Sequence, residues 1–305
     1  MLGIILSIFV FNLNLELVQV EKVQEEPFLY SAGGQFLYQI EYGREAVGEI
    51  PVKRFSLYDR KGDLLWFKEF PEEEAFFVSD LGWVVGVFGS HPKARLTFYD
   101  GKGKIKKRLE IEYPYGYSFS QTGNFFYANT ARGILAFNRE GKVIRNFGFG
   151  GPFFPSPDDK FFAVRREDSL FLFKEGKNFG KFPLASLMFR DLAFSSDNKL
   201  LAVAEKHHIS LFSLEKDIQL LWRKEFDRAT SLLQVAVDDK GTVYLGGETE
   251  RREGFLSVLK EGEERERVKI SYLAPYETIL EIFLSPNSVS VRTTEQRFHF
   301  SVSGD

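Results

Sequence analysis

The feature that most restricts what this chain can become is an internal repeat. One piece recurs along it: a Ser or Asp, two residues, a turn-former, one more residue, and then an apolar strand. It reads Ser31-Ala-Gly-Gly34-Gln-Phe36, Ser79-Asp-Leu-Gly82-Trp-Val84 and Ser120-Gln-Thr-Gly123-Asn-Phe125. It continues as Ser156-Pro-Asp-Asp159-Lys-Phe161, Ser195-Ser-Asp-Asn198-Lys-Leu200 and Asp238-Asp-Lys-Gly241-Thr-Val243. A seventh copy, Ser285-Pro-Asn-Ser288-Val, is imperfect, its strand displaced by about one residue. Successive copies lie 48, 41, 36, 39, 43 and 47 residues apart, a mean of about 42. A second anchor, an apolar-alternating strand running into a charged turn, follows each of the first six; examples are Phe55-Ser-Leu-Tyr58-Asp59 and Leu96-Thr-Phe-Tyr99-Asp100. From Ser120 to Phe137, Ser156 to Phe173 and Ser195 to Phe212 the separation is the same, 17 residues. A loose pattern recurring by chance would not keep that register.

Each unit reads as four short strands of period-two alternation, joined by Gly, Asp, Asn or Lys turns. In the third they are Tyr117–Ser120 (A), Phe125–Asn129 (B), Ile134–Asn138 (C) and Val143–Phe147 (D). No stretch shows sustained helical periodicity with a cap, so no substantial helix is expected. Bulky residues occupy both faces of the strands, and 33 of the 305 residues are Phe. A sandwich would leave one face of each sheet polar; sheets stacked on both sides would not, and the phenylalanines then belong between them.

A period near 42 residues and a four-strand unit resemble the WD-repeat-like seven-bladed β-propellers. The resemblance spans about residues 13–305 and rests on period and strand pattern, because the Gly-His and Trp-Asp dipeptides of that family are missing. It therefore transfers no functional residue. It implies an all-β fold of seven four-stranded antiparallel blades in a single domain, residues 13–305, although length alone would suggest two domains at about 150 residues each. The last unit supplies A (Ile279–Leu284), B (Val289–Arg292) and C (Arg297–Val302) but no D strand. An alternating stretch, Leu13–Val23, precedes the first unit. Residues 13–24 are therefore expected to complete the seventh blade and leave no open seam.

Met1 to Phe11 is an uncharged apolar run, too short to span a membrane and of the length of a secretory signal core. Residues 1–12 are accordingly read as a signal or anchor, and the protein as exported: periplasmic, extracellular or membrane-tethered through residues 1–11. A net charge of -3 and a pI near 6.0 give no footing for nucleic-acid binding. With no cysteine there is no disulfide framework, no thiolate chemistry and no zinc site built on Cys. Abundant Lys and Glu fit a heat-adapted source.

With A innermost, B–C and D–A connections share one rim and A–B and C–D turns the other. Extra length falls in the B–C connections Tyr42–Arg54, Gly89–Arg95 and Gly246–Gly254, all on one face, which marks that face for binding. Arg132, Arg165, Arg166, His207 and His208 lie there. The D–A crossings add the aromatic pieces Tyr113-Pro-Tyr115-Gly-Tyr117 and Phe147-Gly-Phe149-Gly-Gly-Pro-Phe153-Phe154-Pro155, expected at the channel mouth. Tyr115, Phe149 and Phe153 could hold a sugar, a peptide or a partner's hot spot. His207 and His208 are adjacent, so on a strand they point to opposite faces and cannot readily share a metal. No nucleophile elbow, phosphate-cradling loop or EF-hand spacing occurs. The reading is a non-catalytic binding or scaffold propeller, expected to be monomeric, without metal or cofactor, recognising a protein, peptide or carbohydrate. The alternative is a propeller enzyme of hydrolase, lactonase or lyase type, with Arg132, Arg165, Arg166 and His207 as first suspects.

Overall fold

The computed structural model describes residues 14–22, 29–31, 34–42, 53–70, 73–89, 91–272, 274 and 276–303. The apolar run 1–12, and most of the connection between Tyr42 and Arg54, lie outside the described residues. The chain is an all-β, seven-bladed β-propeller: its strands form seven four-stranded antiparallel sheets, each in the order A-B-C-D.

After β1 (Asn14–Lys22) come β2 (Leu29–Tyr30), β3 (Phe36–Tyr42), β4 (Lys53–Asp59) and β5 (Leu64–Phe70), which make blade one. Blade two is β6 (Glu73–Val78), β7 (Val84–Phe88), β8 (Lys93–Tyr99) and β9 (Ile105–Glu112). Blade three is β10 (Gly116–Phe119), β11 (Phe126–Thr130), β12 (Gly133–Phe137) and β13 (Val143–Asn146). Blade four is β14 (Phe153–Pro155), β15 (Phe161–Arg166), β16 (Ser169–Lys174) and β17 (Lys177–Pro183). Blade five is β18 (Phe189–Phe194), β19 (Leu200–Glu205), β20 (His208–Ser213) and β21 (Gln219–Glu225). Blade six is β22 (Thr230–Val237), β23 (Val243–Thr249), β24 (Gly254–Lys260) and β25 (Glu263–Ile270). Blade seven takes β26 (Ile279–Ser285), β27 (Ser288–Thr293) and β28 (Gln296–Ser303) and is completed by β1. The pairing runs from Asn14 opposite Ser303 to Lys22 opposite Gln296, with one bulge between Leu17 and Gln19. The N-terminal strand thus occupies the D position, as its alternation led us to expect.

The recurring Ser has a specific task. Across the A–B turn its hydroxyl accepts the first N–H of strand B: from Phe36 at 3.1 Å to Ser31, from Phe125 at 3.1 Å to Ser120, from Phe161 at 2.9 Å to Ser156 and from Leu200 at 3.0 Å to Ser195. All four serines are buried, so an unmet N–H there would be costly. In blade six Asp238 does the same, accepting from Thr242 N–H at 2.8 Å. The turn-former three residues on needs the left-handed conformation, with φ between 59° and 79° at Gly34, Gly82, Gly123, Asp159, Asn198 and Gly241. Glycine, Asp and Asn are the residues that tolerate it. The second anchor ends on the same principle: the carboxylate of Asp100 accepts from Lys102 and Lys104 N–H at 3.0 and 2.9 Å, holding the C–D turn.

The blades fall into two compact units, one of residues 25–183 and one of residues 184–305 with 1–24. In the first, blades one to four are stacked through aromatic rings. Phe55 of β4 meets Phe76 of β6 at 4.5 Å, and Phe98 of β8 meets Phe126 of β11 at 6.3 Å. Phe147 lies on Phe162 of β15 at 4.1 Å and 13°. In the second unit the packing between blades five, six and seven is mainly aliphatic, with Leu211, Val237 and Leu245 in one layer and Leu256, Ile279 and Val289 in the next. Turn side chains also bridge neighbouring blades. Trp83 Nε1 donates to the Gly123 carbonyl at 2.7 Å, Thr122 donates to the Asp159 carboxylate, and Ser196 donates to Asp239 at 2.6 Å.

The extra length of unit six is not a long loop. Strands β23 and β24 each extend to seven residues and leave four residues, 250–253, between them. The ladder continues there because Glu248 still pairs with Gly254. Likewise β8 begins at Lys93, so the blade-two connection is 89–92.

Candidate functional site

On the side of the B–C turns and D–A crossings, blades three and four enclose a cleft of about 870 Å³. Its lining comes from four places: Tyr115 to Ser118 at the start of β10, Asn129 to Ala131 at the end of β11, the crossing Gly148 to Phe154, and Arg166 at the end of β15. All of it belongs to residues 25–183.

The crossing from β13 to β14 makes the floor. A polypeptide can pass this closely over two blades only where it has no side chains. A Cβ on Gly151 would lie 2.2 Å from the Arg165 carbonyl oxygen, and one on Gly150 would lie 2.7 Å from that of Thr130. Asn129 holds the strap in place. Its Nδ2 donates to the Gly151 carbonyl at 3.0 Å, and its Oδ1 accepts from the Gly151 N–H at 3.2 Å. One amide therefore satisfies both polar groups of one glycine, which an ionised carboxylate, having no donor, could not do. The incoming crossing is tied to the same residue, Tyr115 N–H donating to the Asn129 carbonyl at 2.7 Å.

Aromatic rings form the walls. Tyr115 is 69% exposed and free to meet a ligand. Phe149 is half-buried, its ring edge-on to Phe171 at 4.9 Å. Phe153 is half-buried and stacks on Phe162 at 5.6 Å. The Arg166 guanidinium stands 5.6 Å above the Phe149 ring, with Glu167 at 3.8 Å from its Nε. The aliphatic hydroxyls of the lining are used internally: Ser118 donates to the Phe119 carbonyl and Thr130 to that of Gly133, each at 2.8 Å. The titratable side chains of the lining are Tyr115, Tyr117 and Arg166; it contains no carboxylate and no histidine.

Of the residues singled out from the sequence, Tyr115, Phe149, Phe153 and Arg166 come together in this cleft. Arg165 is adjacent but supports it through its backbone, its N–H donating to the Pro152 carbonyl at 2.9 Å. Arg132 lies on the B–C turn, its Nε 3.8 Å from the Glu112 carboxylate, and does not line the cleft. His207 and His208 belong to the other unit. The Nδ1 of His207 is 2.6 Å from the Thr230 carbonyl, whereas His208 turns to Glu225, with Nε2 3.8 Å away. The two rings take different partners, His207 preceding the strand that His208 begins. Among the described residues no group of three or more His, Asp or Glu is arranged to hold a metal ion. Phe147 was expected at the channel mouth; it instead packs between the sheets, 6% exposed. Sequence reasoning missed Asn129. The Gly-Phe-Gly-Gly-Pro run (148–152) signals a close backbone approach, and an Asn at the end of a nearby strand is the side chain suited to tie it down.

On the rim of residues 184–305, the buried carboxylates are structural. Glu205 accepts from Ser186 N–H, and Glu277 accepts from Gln296 Nε2 at 3.0 Å and from the Thr293 hydroxyl. Each fixes a D–A crossing against the end of strand B or its turn.

No protein-family model and no curated protein matches the sequence. Solved structures do resemble it. KlHsv2 with loop 6CD replaced by a Gly-Ser linker shares 11% identity over 91% of this chain and 96% of that one, with a TM-score of 0.59. Hsv2 from Kluyvelomyces marxianus shares 15% identity over 87% of each chain, also with a TM-score of 0.59. At these identities the likeness is one of fold.

Proposed function

We propose that this chain is a non-catalytic binding propeller that receives an apolar or aromatic side chain of a peptide or protein partner in the cleft over blades three and four. The observation that carries the reading is the lining itself: exposed and half-exposed rings over a floor whose polar groups are already bonded. A sugar needs several donors and acceptors to read its hydroxyls, and beyond the exposed Tyr115 and Arg166 the walls are Phe rings, so a carbohydrate fits this surface less well than a peptide. A buried aromatic anchor beside an arginine is the composition of an interface hot spot. An enzyme would require convergent acid, base or nucleophile, and Arg166 with two tyrosines does not supply that set.

The test is an array of immobilised peptides probed with the full chain and with a Tyr115→Ala/Phe149→Ala variant. Spots that bind the parent and are lost with the variant support the reading. Equal binding by both chains would sink it, as would substrate turnover that depends on Arg166.

A further inference from the structure

The charge of this chain is unevenly placed. The C–D hairpins of blades two, three and four (residues 93–112, 133–146 and 169–183) carry thirteen Lys and Arg against five Asp and Glu. The hairpins of blades five and six, residues 208–225 and 254–270, carry three of each sign and four of each sign. All five present an outer D strand with a sheet neighbour on one side only. Lysines commonly protect such edges from self-association, but blades five and six leave the same edge without any net positive charge. Protection alone therefore does not account for the excess.

The three basic hairpins are contiguous. A Cβ on Gly141, in the blade-three turn, would fall 2.7 Å from Cβ of Lys107 on β9. One on Gly176, in the blade-four turn, would fall 3.1 Å from Cδ of Arg145 on β13. Each turn thus sits against a cation of the preceding blade, and the charges join into one strip. Lys107, Arg108, Lys142 and Lys177 are exposed and face no carboxylate within ion-pair distance among the described residues. Between Lys142 and Arg145, Val143 and Ile144 are also exposed.

We propose that this strip docks an extended acidic segment of a partner protein, its carboxylates on the lysines and its aliphatic side chains on Val143 and Ile144. Two observations favour a polypeptide over other polyanions. Single-stranded nucleic acid needs open aromatic faces for its bases, and here the cations cover the rings: Arg145 lies over Phe125 at 5.2 Å, Lys174 over Phe161 at 5.1 Å and Lys181 over Phe171 at 5.8 Å. A lipid surface would take apolar side chains at the protruding turn tips, and those tips are Asp100-Gly-Lys-Gly103, Asn138-Arg-Glu-Gly141 and Lys174-Glu-Gly176. The strip is separate from the cleft and does not depend on its function.

The experiment is fluorescence anisotropy on the full chain with a labelled peptide of alternating Glu and Val. Labelled oligouridine and phosphatidylserine–phosphatidylcholine vesicles serve as competing probes. The acidic peptide is expected to bind most tightly, with an affinity that falls as salt is raised. Lys107→Glu/Arg108→Glu/Lys142→Glu is expected to weaken it by roughly tenfold or more, whereas Lys216→Glu/Lys224→Glu in blade five leaves it unchanged. If the triple reversal lowers the melting temperature, the neutral Lys107→Gln/Arg108→Gln/Lys142→Gln variant gives the same reading at smaller amplitude. Tighter binding of oligouridine or vesicles overturns the proposal. So does an affinity that survives both triple variants, or one that the blade-five control lowers equally.

Discussion

Asp191 offers a prediction whose sign and size both follow from its surroundings. It lies on β18, and its Oδ2 accepts from the Val235 N–H on β22 at 3.0 Å, so it ties blade five to blade six. Burial drives its pKa up from 3.8 to about 6, and the N–H groups of Val235 and Leu192 only partly oppose that. A folded-state value above the unfolded one means that the folded protein holds this proton more tightly. Below about pH 4 the group is neutral in both states and costs nothing; as the pH rises to about 6 the fold loses stability, and above that the loss is complete. Two pKa units correspond to about 3 kcal/mol, taken as an upper bound. Asp191→Asn keeps an oxygen for Val235 and removes the charge, at the expense of about 1 kcal/mol where the second backbone N–H loses its acceptor. The variant should therefore be slightly less stable than the parent near pH 3.5 and more stable by about 1–2 kcal/mol near pH 7.5. Urea unfolding of both proteins across that range, followed by circular dichroism, measures the difference. A difference constant with pH would show that Asp191 is not buried as a costly charge, and the reasoning would fail.

Other substitutions test the floor, the blade contacts and the seam. Gly151→Ala, which aims a methyl at the Arg165 carbonyl, should lower the melting temperature more than Gly148→Ala, which meets only the backbone cost of about 1 kcal/mol at φ 74° in open space. The reverse order would contradict the strap geometry. Trp83→Phe removes the buried donor to Gly123 and should cost about 2–3 kcal/mol in chemical denaturation. An unchanged midpoint would mean that the bond contributes nothing to joining blades two and three. Deleting residues 1–22 strips the D strand from blade seven and should bring early unfolding and aggregation through the bared edge of β28. Thermal unfolding identical to that of the full chain would argue against β1 as a structural part of that blade.

The repeat was legible because its signals are local. A Ser that must accept an N–H five residues on, and a residue that must tolerate positive φ, are both written in a six-residue window. The seventh blade could be assigned to both ends because Leu13–Val23 alternates and the last unit lacks a D strand. Tyr115, Phe149 and Phe153 could be singled out because the crossings are rich in rings and glycine, and Arg166 only as one of several rim residues. What stayed hidden depends on contacts across blades. Asn129 is one asparagine among several until Gly151 is brought to it, 22 positions further along the chain. Arg132 and Arg165 share a rim with Arg166, yet a turn and one reversal of side-chain direction keep them off the lining. The longer strands of blade six resembled an inserted loop because spacing counts residues without saying whether they are paired.

The pairing of β1 with β28 also governs when this protein can finish folding. Leu15 and Val302 are partners across nearly the whole chain. Closing so long a loop is entropically expensive and comes late. Blade seven can form only once both Asn14 and Ser303 have left the ribosome, whereas blades one to six are each built from a contiguous stretch and can assemble as they emerge. The seam is also a place to rewire the molecule: a circular permutant with residues 22 and 296 kept on one continuous segment and new ends cut between two other blades would turn the slowest contact into a local one.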